Sequence, residues 1–236
     1  MRFMSRIAIS LVLAGVACSA LAGATELTPH RAQYKVKISV VSGELNTELK
    51  ADGTGYVATH VVKPTGLSRM ITRGTMEVSS AFTTAADGVR PVTYHAIDTI
   101  RKEPEAHISF DWTTNQASGT VGKEEVLLQL DGISHDSVSI QYALMYDLLN
   151  DQTNTQYVLF DVDKMRLANV RKVGTRSVKT RAGTFDVVGI AHQREGSSRT
   201  TTLWCAEELD YLPVIIEQHR KDKLKFRATL TSYTPT

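Results

Sequence analysis

Cysteine is nearly absent: the 236 residues hold only Cys18 and Cys205. Cys18 lies in a stretch that reads as an export leader, residues 1–22. A mature chain would keep Cys205 alone, which excludes an intramolecular disulfide even in an oxidising compartment. Stability must then come from packing. No long apolar run follows the leader, and the leader's own, Ile7 to Ala17, is too short to span a bilayer permanently. No transmembrane segment is therefore expected after its removal. Net charge is missing too. The formal +2 falls to zero when Arg2 and Arg6 leave, because no acid leaves with them. Nucleic-acid binding by bulk charge is not expected. There is no Gly-x-Ser-x-Gly elbow, phosphate loop or dinucleotide fingerprint. The seven histidines form neither His-x-His nor His-Glu-x-x-His. Neither a metal nor a cofactor is expected, and no catalytic residues emerge.

The leader is defined by basic Arg2 and Arg6, the apolar stretch, and a small-x-small cleavage site at Ala20-Leu21-Ala22. It points to a periplasmic protein. Lipoprotein processing at Cys18 is the rival, but Gly15-Val16-Ala17 puts glycine where leucine is usual. No Pro- or Gly-rich linker divides residues 23–236, so they read as a single β-rich domain.

What is present is alternation. Tyr34, Val36, Ile38 and Val40 alternate with Lys35, Lys37 and Ser39, and Leu45, Thr47 and Leu49 repeat the pattern after Ser42-Gly43. A period of two marks half-buried strands. Further strand-like runs fall at 56–62, 74–83, 92–100, 108–112, 126–130, 156–162 and 165–180, the last bent near Gly174. Leu67 to Ile71 reads as a helical turn or an apolar loop. The clearest stretch is 179–233, four β-runs joined by polar turns. Tight hairpins there would align Val188, Cys205 and Ile215 in one row and His192, Thr201 and His219 in another on the same face. Phe185, Val187, Trp204, Val214 and Ile216 would take the opposite face.

One helix stands out. Asp136 is a good N-cap, and Val138, Tyr142, Met145 and Leu149 form an apolar stripe widened by Ile140, Ala143, Leu144 and Leu148. Such a face needs a sheet to lie on. The expected fold is mainly β: a curved antiparallel sheet forming a barrel or half-barrel. One amphipathic helix, about residues 136–150, packs on it or plugs it.

Several of these residues carry a resemblance. Asp136-x-x-Ser139-x-x-Tyr142, Thr180-x-x-Gly183-x-Phe185, Trp204 followed by acids, Tyr211-Leu212-Pro213-Val214 and Leu230-x-x-Tyr233 together resemble the exported bacterial family called domain of unknown function 3108. The resemblance implies an envelope β-protein. At the level of architecture it also suggests the half-barrel periplasmic carriers of lipoproteins and lipids, although fold alone does not fix function.

Candidate sites follow from these elements. An apolar small molecule, a lipid or a lipoprotein acyl chain would be lined by Trp112, Tyr142, Met145, Trp204, Val214 and Ile216; the bland alternative is a filled core. Arg171, Lys172, Arg176, Lys179 and Arg181 would form a basic face, joined by a second set from Arg220 to Arg227. Such a face could meet anionic headgroups or an acidic partner; the alternative is the solvated side of edge strands. His192 and His219 could approach across Thr201 and share a metal with a nearby carboxylate, but metal sites need three or four fixed ligands, and two exposed strand histidines are the ordinary reading. Asp161-x-Asp163 and Glu103-Pro104-Glu105 supply too few oxygens for calcium. Cys205 sits among apolar neighbours and reads as an inert thiol. The preferred function is a non-catalytic envelope protein that holds an apolar ligand. The alternative is a scaffold or assembly factor that binds another envelope protein through an edge strand or the basic face. A hydrolase using His192, His219 or Cys205 ranks last, since none has a base and an orienter.

Overall fold

The computed structural model describes residues 24–152, 154–161 and 164–236. The expected leader and Cys18 lie outside them. Alternation becomes strands directly. In β1 (His30–Ile38), Ala32, Tyr34 and Val36 are buried, whereas Arg31, Gln33, Lys35 and Lys37 face solvent. There follow β2 (Val41–Asp52), β3 (Gly55–Pro64), a short helix α1 (Ser68–Ile71), β4 (Met76–Ala85), β5 (Gly88–Asp98) and β6 (Glu103–Asp111). Next come β7 (Gln116–Val121), β8 (Glu124–Gln129), a two-residue β9 (Ser134–His135) and the helix α2 (Ser139–Leu149). The second half is β10 (Gln156–Asp161), β11 (Lys164–Lys179), β12 (Thr184–Arg194), β13 (Arg199–Ala206), β14 (Leu212–Arg220) and β15 (Lys223–Pro235).

All fifteen strands join one sheet, in the order β8-β7-β6-β5-β4-β3-β2-β1-β15-β14-β13-β12-β11-β10-β9. Two meanders run outward from a central pair, β1 and β15, the first and last of the described strands. Every ladder is antiparallel except β9 on β10. The sheet curls until its two halves meet, but it does not close. Side chains bridge the gap in place of a ladder. Phe110 on β6 meets Phe160 on β10 edge-on at 5.5 Å. The Tyr94 hydroxyl on β5 lies 3.1 Å from Ser137 Oγ, just ahead of α2. The expected curved antiparallel sheet is what forms.

α2 plugs the concave side. Asp136 caps it as expected: its Oδ1 accepts from the Val138 and Ser139 amides at 2.8 and 2.9 Å. Ser139 Oγ accepts in return from the Asp136 N–H at 3.0 Å, a reciprocal box. The other carboxylate oxygen accepts from Ser80 Oγ at 2.6 Å, which fastens the helix start to β4. The helix departs from the amphipathic expectation. Tyr142 to Asp147 are buried in succession, all around the helix, because the sheet wraps it rather than supporting one side.

Two further differences have local causes. β7 escapes a sequence reading because QASGTV offers little bulk, with only Ala117 buried. The register of β13 on β14 slips by one at a bulge between Trp204 and Cys205. Ile215 therefore pairs with Trp204 rather than Cys205, and His219 pairs with Thr200 rather than Thr201. A one-residue slip sends side chains to the other face. His192 and His219 consequently do not share a row.

Candidate functional site

The six expected lining residues do not surround one space. Tyr142, Met145 and Val214 are fully buried in the core, and Trp112, Trp204 and Ile216 are half-buried. Tyr142 stacks on Phe82 at 5.3 Å, with the rings of His30 and His60 at 6.3 and 6.1 Å. Tyr34, Leu49, Phe82, Tyr146 and Leu230 are each at most 1% exposed, so side chains occupy this interior. Trp112 belongs to the β5–β6 side, where its Nε1 donates to the Pro91 carbonyl at 2.6 Å. Ile216 pairs with Leu203 and Ala228, and Ala228 pairs with buried Val36, so these four share the concave face. Trp204 pairs with Ile215 and points the other way. The bulge that shifts β14 is the reason Trp204 and Ile216 part company.

On the convex face Trp204 organises charge. Gly189 lies beneath it; a Cβ there would come within 2.8 Å of the indole. The Arg176 guanidinium stacks on the ring at 3.6 Å. Glu217 accepts from Trp204 Nε1 at 3.1 Å and pairs with Arg227 at 3.5 Å and Arg176 at 3.8 Å. The five bases of the expected basic face are dispersed. Lys172 lines a cleft with Leu148 and Gln152 below the helix C-terminus. Arg171 borders a recess with Gln193 and His219. Arg176 is held on Trp204, and Lys179 pairs with Thr184 at the hairpin end. Only Arg181 joins a basic groove, a recess of about 740 Å³. Its other bases are Lys35 and Lys37 of β1 and Lys225 and Arg227 of β15, and no acid lines it. The second basic set thus contributes, but its main companions come from β1, whose lysines read in sequence only as the wet side of a strand.

Beside this groove lies a rim that sequence reading missed. Eight large hydrophobic side chains are exposed among the described residues. Six of them, Ile38, Val40, Leu67, Met70, Ile71 and Leu224, come from one end of the sheet. Ile38 ends β1 opposite Phe226, and Val40 follows in the turn. α1 is tied to the same turn: the Thr65 amide donates to the Ser42 carbonyl at 3.0 Å, and the Ser42 amide to Ser68 Oγ at 2.8 Å. Val40 is 85% exposed, Leu67 81% and Met70 79%, far above what packing would leave. The segments that carry them also bring Lys37, Lys63, Arg69, Arg73, Lys223 and Lys225, against Glu44 and Asp222. The free edge β8, by contrast, opens with Glu124 and Glu125, charges that discourage strand addition.

Three buried imidazoles and the Cys205 thiol are held in their neutral forms. Burial pushes His135 down to about 4. It does the same to His60, helped by nearby His30, and to His192, helped by Arg194. Burial raises the Cys205 thiol well above its ordinary range, which leaves no thiolate for nucleophilic chemistry. Among the described residues one group has ligand atoms spaced for a metal: His95, Glu105 and His107. Its sequence signal was Glu105-x-His107 on a strand, visible only once the β5–β6 register is known.

The family model described as "Protein of unknown function (DUF3108)" matches residues 31–231. No curated protein matches the chain. The crystal structure of a beta-barrel-like protein of domain of unknown function DUF1849 from Brucella abortus is similar at 16% identity. It covers 89% of this chain and 98% of that one, with a TM-score of 0.59. That likeness concerns the fold alone. A candidate lipoprotein from Parabacteroides distasonis aligns over 89% of this chain and 100% of its own at 10% identity; its TM-score of 0.37 carries no argument. Among the described residues no helix is long and apolar enough to cross a membrane.

Proposed function

We propose, for a chain that belongs to the DUF3108 family, that it is an exported, non-catalytic binding protein of the cell envelope. Its target is an anionic lipid surface, engaged through the rim of the β1–β2 turn, α1 and the start of β15. One observation carries this reading: six of the eight exposed large hydrophobic side chains gather at a rim studded with lysine and arginine. Apolar side chains at the headgroup boundary and bases facing anionic phosphates are what such a surface rewards. The adjoining groove, basic and free of acids, supports the same charge preference. An acyl chain enclosed by Tyr142 and Met145 is disfavoured, because the core around them is packed.

Flotation with vesicles tests this. The purified protein should float with vesicles containing phosphatidylglycerol and stay behind with pure phosphatidylcholine. Leu67→Ser/Met70→Ser/Ile71→Ser should lower the floated fraction severalfold, as should Lys37→Glu/Lys225→Glu. Equal flotation on both lipids, or none on either, would overturn the assignment.

A further inference from the structure

On the convex surface, where β5 pairs with β6, three side chains converge on a single point. Glu105 and His107 are two residues apart on β6, so the pleat puts both on one face. His95 on β5 lies directly opposite His107 in the ladder. His95 Nε2 is 2.8 Å from Glu105 Oε1, and His107 Nε2 is 2.9 Å from the same oxygen. The two imidazoles stack with centroids 4.0 Å apart at 19°. One donor atom from each residue lies within 4.8 Å of the others.

The backbone that presents them is fixed from behind. Tyr94 and Ile108 pair on the other face, as do Ala96 and Ala106, and three of these four are buried in the core. The donors are therefore aligned without any partner molecule, which lowers the ordering cost of binding. Their side chains are 39%, 49% and 57% exposed, for His95, Glu105 and His107 in turn, so an ion from solvent can reach them.

We propose that His95, Glu105 and His107 form a binding site for one divalent transition-metal ion of the zinc and copper class. Two imidazole nitrogens and one carboxylate oxygen are the donor set such ions favour. Calcium or magnesium would need more oxygen ligands than the lone carboxylate offers. In the metal-free form the Glu105 oxygen accepts an Nε2–H from each imidazole. On binding, each Nε2 offers its lone pair instead, its proton moving to Nδ1, and the ion takes the place of the two hydrogen bonds. Three protein donors leave further coordination positions on the solvent side for water or for a side chain of another molecule. The alternative occupant of this geometry is nothing but a pair of surface ion contacts.

The test uses the purified full chain without a histidine tag, titrated with Zn²⁺ and Cu²⁺ by calorimetry. One equivalent should bind, with copper the tighter. His95→Ala and His107→Ala should each weaken binding by at least about tenfold, and Glu105→Gln by less. In imidazole NMR spectra, zinc should shift the rings of His95 and His107 and leave those of His30 and His60 in place. Circular dichroism checks that the variants stay folded, which exposed positions allow. Absence of saturable binding would overturn the site. So would one equivalent still bound by His95→Ala/His107→Ala.

Discussion

The interior around Tyr142 and the rim around Val40 are built from similar residues to opposite ends. In the interior every large side chain is covered, and even imidazoles are kept uncharged. At the rim, side chains just as apolar stand 48% to 85% exposed beside bases. Packing explains the first arrangement completely. It offers no reason for the second, since burying Leu67 or Met70 would be worth roughly 1.5–3 kcal/mol each. The contrast separates residues that hold the fold from residues that the fold holds out.

The interior should break hardest. Tyr142→Ala should cost about 3–5 kcal/mol in chemical denaturation, by leaving a cavity between α2 and Phe82. Tyr142→Phe sharpens the point. The Tyr142 hydroxyl, like His30 Nε2 and His60 Nε2, is buried without a hydrogen-bond partner among the described residues. Its removal should be neutral or slightly stabilising, the opposite of the usual Tyr→Phe loss. Next comes Asp136→Ala, at about 2–3 kcal/mol, because it uncaps α2 and strands Ser80 Oγ.

Acid should act on the same interior. His60 and His135 have folded values depressed to about 4 from an ordinary 6.5, because burial disfavours the imidazolium. Below 6.5 the unfolded chain binds protons that the folded chain refuses. Stability is therefore full above that pH and falls as pH drops towards 4, where the loss levels off. The slope should reach up to about 1.4 kcal/mol per pH unit for each buried histidine. His135→Gln should flatten the decline, as followed by urea midpoints at pH 7, 6 and 5.

How much of this was legible in the sequence depended on bulk and on register. The strands with alternating large residues, such as Tyr34-x-Val36, announced themselves, as did Asp136 before the helix. β7 did not, because small residues carry no periodic signal. The site residues were harder, because they depend on which strands are neighbours. One bulge at Trp204 was enough to separate Trp204 from Ile216 and His192 from His219. His95 and His107 are unremarkable twelve residues apart until the β5–β6 ladder puts them opposite one another. The rim is assembled from β1, α1 and β15, segments that no local pattern connects.

The smallest effect on stability should come from the rim itself. Val40→Ser or Leu67→Ser should change the unfolding free energy by no more than about 0.5 kcal/mol, since neither side chain is covered. A larger loss would mean that these residues pack in solution and belong with the interior after all. The charge half of the rim can be weighed separately. Exposed lysines act through a field that salt screens beyond about 10 Å at 0.1 M. Vesicle flotation should therefore fall as salt is raised from 0.05 to 0.5 M (approximately), while the urea midpoint barely moves. Lys37→Glu/Lys225→Glu should remove most of that salt dependence but leave the apolar contribution, so residual binding should then vanish only with Leu67→Ser/Met70→Ser/Ile71→Ser. If instead both variants lost the urea midpoint and the flotation together, the distinction between a covered interior and a presented rim would collapse.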